Sequence, residues 1–290
     1  MSADARVGLG IALMAATMLV LAVQDGFSRH LAGEYSVWMV VAIRYWFFAA
    51  LAVALALRRP GGLRAAFRSR RPGLQLFRGL IMAAEICVLV GAFVVVGLTE
   101  AHAIFAVCPL IVVALSGPVL GERIGPARWA AVAAGFGGVL VMLRPGGGAV
   151  GWGALIPVLA AAMFATYAVT TRLVARDDAA FTSFLWTGVV GAVAMTPLGL
   201  WAWEPMTPRD GALMGALCAV AALAQYLFIR TYEVAEASLL QPFAYLQLVF
   251  AAAIGIAVFG ETLRAEVALG AAIVVGAGVF AALRARRRPR

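Results

Sequence analysis

The 290-residue sequence contains no lysine, and all 23 of its basic residues are arginine. That absence excludes two chemistries, because a P-loop needs the lysine of GxxxxGK and pyridoxal-phosphate or Schiff-base catalysis needs a lysine amine. Charge is scarce as well: 13% of residues are charged, against about 25% in an ordinary soluble domain. The 23 basic and 14 acidic side chains are too few to coat a soluble chain of this length. Cysteine is sparse and odd in number. Cys87, Cys108 and Cys218 each sit in an apolar run, which excludes a secreted disulfide scaffold. Neither HExxH nor GxSxG occurs, and two histidines are too few for a metal centre without clustered carboxylates. Asp177-Asp178 opens like a DDxxD motif, but position 181 is phenylalanine. A membrane-embedded enzyme is therefore the remote reading, and no cofactor or metal is expected.

What the chain has in excess is apolar surface, with 64% hydrophobic residues and a mean hydropathy of +0.96. Disorder is excluded on that ground, and an all-α integral membrane protein is expected. A membrane helix takes about 20 predominantly apolar residues. Ten such stretches fall near 7–28, 37–57, 74–96, 101–120, 127–143, 151–171, 181–203, 211–231, 237–259 and 265–283. Glycine and Pro-Gly punctuate the junctions, as in Arg71-Pro72-Gly73 and Arg144-Pro145-Gly146. The first stretch reads as a retained helix, since it outruns the 7–15 apolar residues of a signal peptide and no small-x-small site precedes Gln24-Asp25.

Arginines in the connections set the expected orientation. One side would hold 17 of them, including Arg58, Arg59, Arg64, Arg68, Arg70, Arg71 and the tail, and the other only Arg29, Arg144, Arg209 and Arg264. Both termini are thus expected in the cytoplasm. The net charge of +9 is a topology signal with some attraction for anionic lipid, not a nucleic-acid footprint, because the arginines are scattered over short loops.

The two halves of the sequence repeat each other. Thr99-Glu100-Ala101 opens the fourth stretch and Gly121-Glu122 closes it; Ala235-Glu236-Ala237 opens the ninth and Gly260-Glu261 closes it. Five is an odd number of crossings, so the second copy would enter the bilayer upside down. Two inverted five-helix repeats are expected, over 1–145 and 149–284, with 285–290 as a basic cytoplasmic tail. Secondary transporters commonly place a substrate site near the midplane of such an architecture.

The paired membrane-boundary Gly-Glu motifs, with Pro109-Leu110 ahead of Glu122, resemble the ten-helix drug/metabolite transporter superfamily with its two EamA-type domains. The second repeat departs from that pattern at Leu248, where the first has Pro109, so a backbone break is not compelled there. The resemblance implies a multi-pass carrier of small metabolites in a bacterial inner membrane. Gln24-Asp25-Gly26-Phe27-Ser28-Arg29, Arg44 and the run 242–247 are similar to amino-acid exporters and S-adenosylmethionine carriers alike.

A charge at the centre of a spanning helix costs about 2.5–3.5 kcal/mol on insertion scales, so each one should face a partner or a wet cavity. Asp25 and Arg44 are expected to pair as a brace between the first two helices or to act as a gate. Arg78 either snorkels to the interface or meets a substrate carboxylate. Glu85, seven residues on, either meets an ammonium, carries a coupling proton, or is structural. Gln241, Tyr245 and Gln247 form a polar stripe on the ninth stretch, which Pro242 locally breaks. Phe105, Tyr167, Gln225 and Tyr226 would complete a ring-rich wall. His102 is expected to be hydrated or to cap a helix. Trp38, Trp152, Trp201 and Trp203 read as interfacial belt residues. Glu122 and Glu261 read as caps for the turns into spans five and ten. The small residues Ala131/Gly135, Ala134/Gly138 and Ala272/Gly276 read as helix-contact surfaces. The functional expectation is alternating-access export of amino acids, with aromatic amino acids as a candidate cargo. The alternative is uptake of a larger metabolite such as riboflavin or S-adenosylmethionine. Protons are a candidate coupling partner, and a monomer or weak homodimer is expected.

Overall fold

The computed structural model describes residues 3–121, 124–143, 151–234, 240 and 243–286, and among these it is helical with no strand. The helices are α1 (Ala3–Glu34), α2 (Val37–Leu57), the short α3 (Gly62–Ala66), α4 (Pro72–Val96), α5 (Leu98–Phe105), α6 (Cys108–Leu120) and α7 (Pro126–Leu143). A 3₁₀ turn over Gly151–Ala154 leads into α8 (Leu155–Val174), α9 (Ala180–Trp201), α10 (Pro208–Val234), α11 (Leu246–Phe259) and α12 (Ala265–Arg286). Backbone groups in hydrocarbon have no water to bond, which is why a chain this apolar resolves into helices.

Seven helical segments are long and apolar enough to cross a membrane, with α5 and α6 counting together as Leu98–Leu120. Three further apolar segments are shorter: Trp129–Val141, Leu246–Phe259 and Ala265–Phe280. The protein is a multi-pass membrane protein.

Local sequence explains the helix boundaries. Pro72 starts α4 at a position where its missing N–H costs nothing. Gly121 and Gly260 end α6 and α11 in the left-handed region (φ +72° and +63°), so the repeated Gly-Glu motif is in each case a helix stop. The fourth stretch is broken between Phe105 and Cys108, because Pro109 has no N–H to return to the Phe105 carbonyl. In the ninth stretch the helix restarts at Leu246 directly after a turn at Tyr245, although no proline stands at 248. Pro242, the expected cause of a break, lies outside the described residues.

Helices pack in a definite pattern. α1 lies against α10 and α11, α4 against α8 and α9, α6 against α8, α2 against α9 and α10, and α7 against α12. Small residues permit the last of these approaches: a Cβ at Gly138 of α7 would stand 2.8 Å from the Gly270 carbonyl oxygen of α12. Trp38, Trp201 and Trp203 are exposed, while the side chain of Trp152 lies outside the described residues.

Candidate functional site

A cavity sits between the two broken helices. Phe105, Ala106, Cys108 and Pro109 border it from the α5–α6 break, and Ala244, Tyr245, Gln247 and Leu248 from the break before α11. Met14 and Met18 of α1, Phe164 of α8, and Phe228 and Tyr232 of α10 close it. Its volume is about 30 Å³, room for about one water molecule. The helices around it must therefore part before a metabolite can enter.

Rings form most of its wall. Phe105 packs edge-on to Phe164 (5.6 Å between centroids), Phe164 edge-on to Phe228 (5.1 Å), and Phe228 against Tyr232 (4.8 Å). His102 packs against Phe93 at 5.2 Å and edge-on to Phe105 at 6.1 Å. It is buried, because α5 turns it into the bundle, and it borders the cavity.

Behind this wall lies a polar network centred on Asp25, which is buried. Asp25 Oδ1 accepts from Gln24 Nε2 (3.1 Å), and Oδ2 accepts from Gln247 Nε2 (3.0 Å). His102 Nε2 approaches Oδ2 to 3.1 Å, close enough for an ion pair but without hydrogen-bond alignment. Among the described residues Arg44 makes no ion pair with Asp25; its Nη2 donates to Gln24 Oε1 at 3.2 Å, and Gln24 passes the link to Asp25. The expected two-residue brace is thus a relay through an amide, which the sequence places next to Asp25. Glu85 is buried nearby, with Asp25 and Arg44 as the charges that act on it. Among the described residues its Oε1 has no hydrogen-bond partner, and neither has Ser28 Oγ or Tyr45 Oη.

A second network occupies the end of the bundle nearer the arginine-rich connections. Arg78 is fully buried and does not snorkel. Its Nε donates to Thr171 Oγ1 (2.9 Å), Nη1 to Gln75 Oε1 (2.7 Å) and the Ser183 carbonyl (3.2 Å), and Nη2 to Tyr167 Oη (3.1 Å) and Thr187 Oγ1 (2.9 Å). The guanidinium also lies over the Tyr167 ring at 5.0 Å. All five donors are spent on protein, on four side chains and one backbone carbonyl of α4, α8 and α9, which leaves none for a substrate carboxylate in this conformation. Gln225 of α10 donates to Tyr167 Oη, and Tyr167 stacks on Phe228 at 5.7 Å, so this network backs the cavity wall. Gln75 continues it outward to Asp178 Oδ2 (2.9 Å) and Ser183 Oγ (3.1 Å). Asp178, in the α8–α9 connection, also accepts from the Ser69 hydroxyl and the Arg70 amide. Burial pushes its carboxyl up, but those hydrogen bonds outweigh it and hold it below the usual aspartate value. Asp177 pairs with Arg71 at 2.7 Å.

Of the residues singled out from sequence, Phe105, Tyr245 and Gln247 border the cavity, whereas Arg78, Tyr167 and Gln225 form the second network. Glu85 is buried and does not line the cavity. Tyr226 faces outward and is 41% exposed, one helical step of 100° from its buried neighbour Gln225. Gln241 and Glu122 lie outside the described residues. Glu261 does not cap the turn into α12; its carboxylate accepts from the Leu98 and Thr99 amides (2.9 and 2.7 Å), capping α5 across the bundle. Gly97 (φ +85°) makes room for it, since a Cβ there would stand 3.0 Å from Glu261 Oε1. Arg264 and Glu100 pair beside it through two contacts of 2.6 and 3.3 Å. Sequence reasoning missed Phe164, Phe228, Tyr232, Gln75, Thr171, Ser183 and Thr187. The pairs Tyr167/Thr171 and Ser183/Thr187, each four apart, are the signal that was available.

Comparison with known proteins places this arrangement in a class. Residues 8–144 and 151–283 each match the EamA-like transporter family. The chain belongs to that family, within the drug/metabolite transporter superfamily. A riboflavin transporter of Rhizobium johnstonii is 32% identical over 234 residues, 78% of this chain and 75% of that one. A riboflavin transporter of Vibrio cholerae is 29% identical over 78% of this chain and 76% of its own. An S-adenosylmethionine uptake transporter of Rickettsia prowazekii is 21% identical over 93% of this chain and 91% of its own. A solved crystal structure has the same fold, with a TM-score of 0.69 and 21% identity over 99% of this chain and 100% of that one. These names agree with the uptake alternative and not with the amino-acid export expected first.

Proposed function

We propose that the protein carries riboflavin, or a flavin-like planar neutral metabolite, by alternating access around the cavity between the two broken helices. The observation that carries this reading is the cavity's lining: phenylalanine and tyrosine rings on one side, Gln247 and His102 on the other, and no carboxylate or arginine. Stacked rings with one amide edge suit a neutral heteroaromatic plane. The sulfonium of S-adenosylmethionine would call for an anionic lining group. Asp25 lies behind the wall with Gln24 and Gln247 bonded to its two oxygens, and does not line the cavity. The riboflavin-transporter relatives support the same choice.

The finer architecture belongs to the same proposal: ten crossings, in two inverted repeats of five, with both termini in the cytoplasm of a bacterial inner membrane. Exchanging α1 with α8, α2 with α9, α4 with α10, α5–α6 with the α11 span, and α7 with α12 turns the α1–α10 packing into α8–α4. The same exchange turns α1–α11 into α8–α6 and α4–α9 into α10–α2, and returns α2–α9 and α7–α12 to themselves; every one of these contacts is present. The two separate family matches support the division near residues 145–150. In the cycle, α4, α5–α6, α10 and α11 rock about the site, exposing it to each side in turn. Phe105, Phe164, Phe228 and Gln247 hold the substrate, with Gln241 a candidate contact and no cofactor or metal taking part. Asp25, Arg44 and Glu85 respond to opening, and Arg78, Tyr167 and Gln225 hold the wall.

The test is counterflow in proteoliposomes with labelled riboflavin, S-adenosylmethionine and aromatic amino acids. Riboflavin is expected to exchange and the other two are not; exchange of either of them in its place overturns the assignment. Phe228→Ala is expected to raise the KM for riboflavin about tenfold, the value of one lost stacking contact.

A further inference from the structure

A second concavity, about 580 Å³ in volume, opens on the outside of the bundle between α2, α9 and α10. Its walls are Phe47, Leu51 and Leu55 of α2, Phe181 and Phe184 of α9, and Leu223 and Tyr226 of α10; its floor is low because α10 presents alanine at 219 and 222. At one end stand Arg58 and Arg59, on the arginine-rich connection that follows α2. Neither forms an ion pair among the described residues, and the Arg59 guanidinium is held over the Phe181 ring at 3.6 Å. No carboxylate lines the groove. From Phe47 to Arg58 is eleven residues of helix, about 16 Å, close to the ~15 Å hydrocarbon depth of one leaflet.

We propose that this groove is a binding site for an anionic phospholipid of the leaflet on the arginine-rich side, with its headgroup phosphate on Arg58 and Arg59 and one acyl chain laid along the α2–α9–α10 furrow. Charge and length fit together: two unpaired guanidinium groups stand at headgroup level above an apolar trough one leaflet deep. Aromatic rings pack along the trough, with Phe184 edge-on to Tyr226 at 5.8 Å, so its shape persists without an occupant. The site is separate from the central cavity and shares no lining residue with it.

Native mass spectrometry of the full chain in detergent, titrated with phosphatidylglycerol or phosphatidylcholine, tests the site. One phosphatidylglycerol per chain is expected to be retained in preference to phosphatidylcholine. R58Q/R59Q should lower that preference ~30-fold, and Ala219→Phe, which fills the trough, should abolish retention of either lipid. Thermal unfolding of both variants separates a lost site from a lost fold, and Arg58 and Arg59 lie at the exposed surface where substitution is tolerated. Equal retention of the two lipids by the wild type, or unchanged retention in both folded variants, overturns the site. So does a fall in riboflavin exchange in Ala219→Phe with phosphatidylglycerol retention intact, which would make the furrow a lateral path for substrate.

Discussion

Arg78 and Glu85 stand seven residues apart on α4, about 10 Å along its axis, and both are buried. Every donor of the arginine has a partner, drawn from α4, α8 and α9. Among the described residues one carboxylate oxygen of Glu85 has none, and neither have Ser28 Oγ of α1 and Tyr45 Oη of α2. Two buried charged side chains of one helix thus differ in how completely they are bonded. Full satisfaction ties a side chain to one geometry, since any motion breaks several bonds at once. Unspent hydrogen-bond capacity marks a region whose partners arrive in another conformation or with a ligand. Within the proposed transport cycle, the Arg78 network would be the fixed point, and the surroundings of Glu85 the part that changes.

The sharpest break of that contrast is at Arg78 itself. Arg78→Ala takes the hydrogen bond from Gln75 Oε1 and one partner each from Tyr167, Thr171, Thr187 and the Ser183 carbonyl, and is expected to cost about 1–3 kcal/mol. Arg78→Lys is not expected to rescue it, because three donors on a flexible stem cannot replace a planar five-donor fork. Thermal unfolding in detergent checks both variants. An unshifted midpoint for Arg78→Ala would mean that the network is not the fixed point.

A smaller effect tests the outward end of the same network through pH. The Asp178 carboxyl is held below the ordinary aspartate value in the folded state, against about 3.9 when unfolded. Its contribution is therefore fully present above that unfolded value and is lost as pH falls through the folded one. Asp178→Asn is expected to unfold at a lower temperature than the wild type between pH 5 and pH 7. The gap should narrow as the solution is taken down past the unfolded value of about 3.9 and close once the folded carboxyl is protonated as well. A gap that persists or widens in acid would show that the carboxylate is not what ties Ser69, Arg70 and Gln75 together.

These contrasts were only partly legible in the sequence. Membrane crossings are written in hydropathy, because lipid admits few alternatives to an apolar helix, and seven long apolar segments are found where such stretches were read. Buried charges were visible for the same reason: Asp25, Arg44, Arg78 and Glu85 stand out against their neighbours. Their partners were not visible, because a polar residue on one helix does not say which face of another it will meet. Gln225 and Tyr226 looked alike as wall residues, yet one step around α10 sends the first inward and the second to the outer furrow. Phe164 and Phe228 were invisible for a related reason, since a phenylalanine in a span reads the same whether it faces lipid or a cavity. The Glu261 cap on α5 joins residues 163 positions apart, and no local pattern predicts it.

The subtlest test falls on Glu85, where the comparison expects almost no change in stability. Glu85→Gln keeps the shape, replaces one oxygen by an amide nitrogen, and removes no bond made by Oε1, since that atom has none. Its unfolding midpoint should correspond to a change below ~1 kcal/mol, well under that of Arg78→Ala measured in the same detergent. A loss as large as that at Arg78 would erase the distinction between the two ends of α4. If the carboxyl carries a proton through the transport cycle, Glu85→Gln should exchange riboflavin in counterflow yet lose the response of net uptake to an imposed pH gradient. An unaltered response would leave the side chain without a part in coupling.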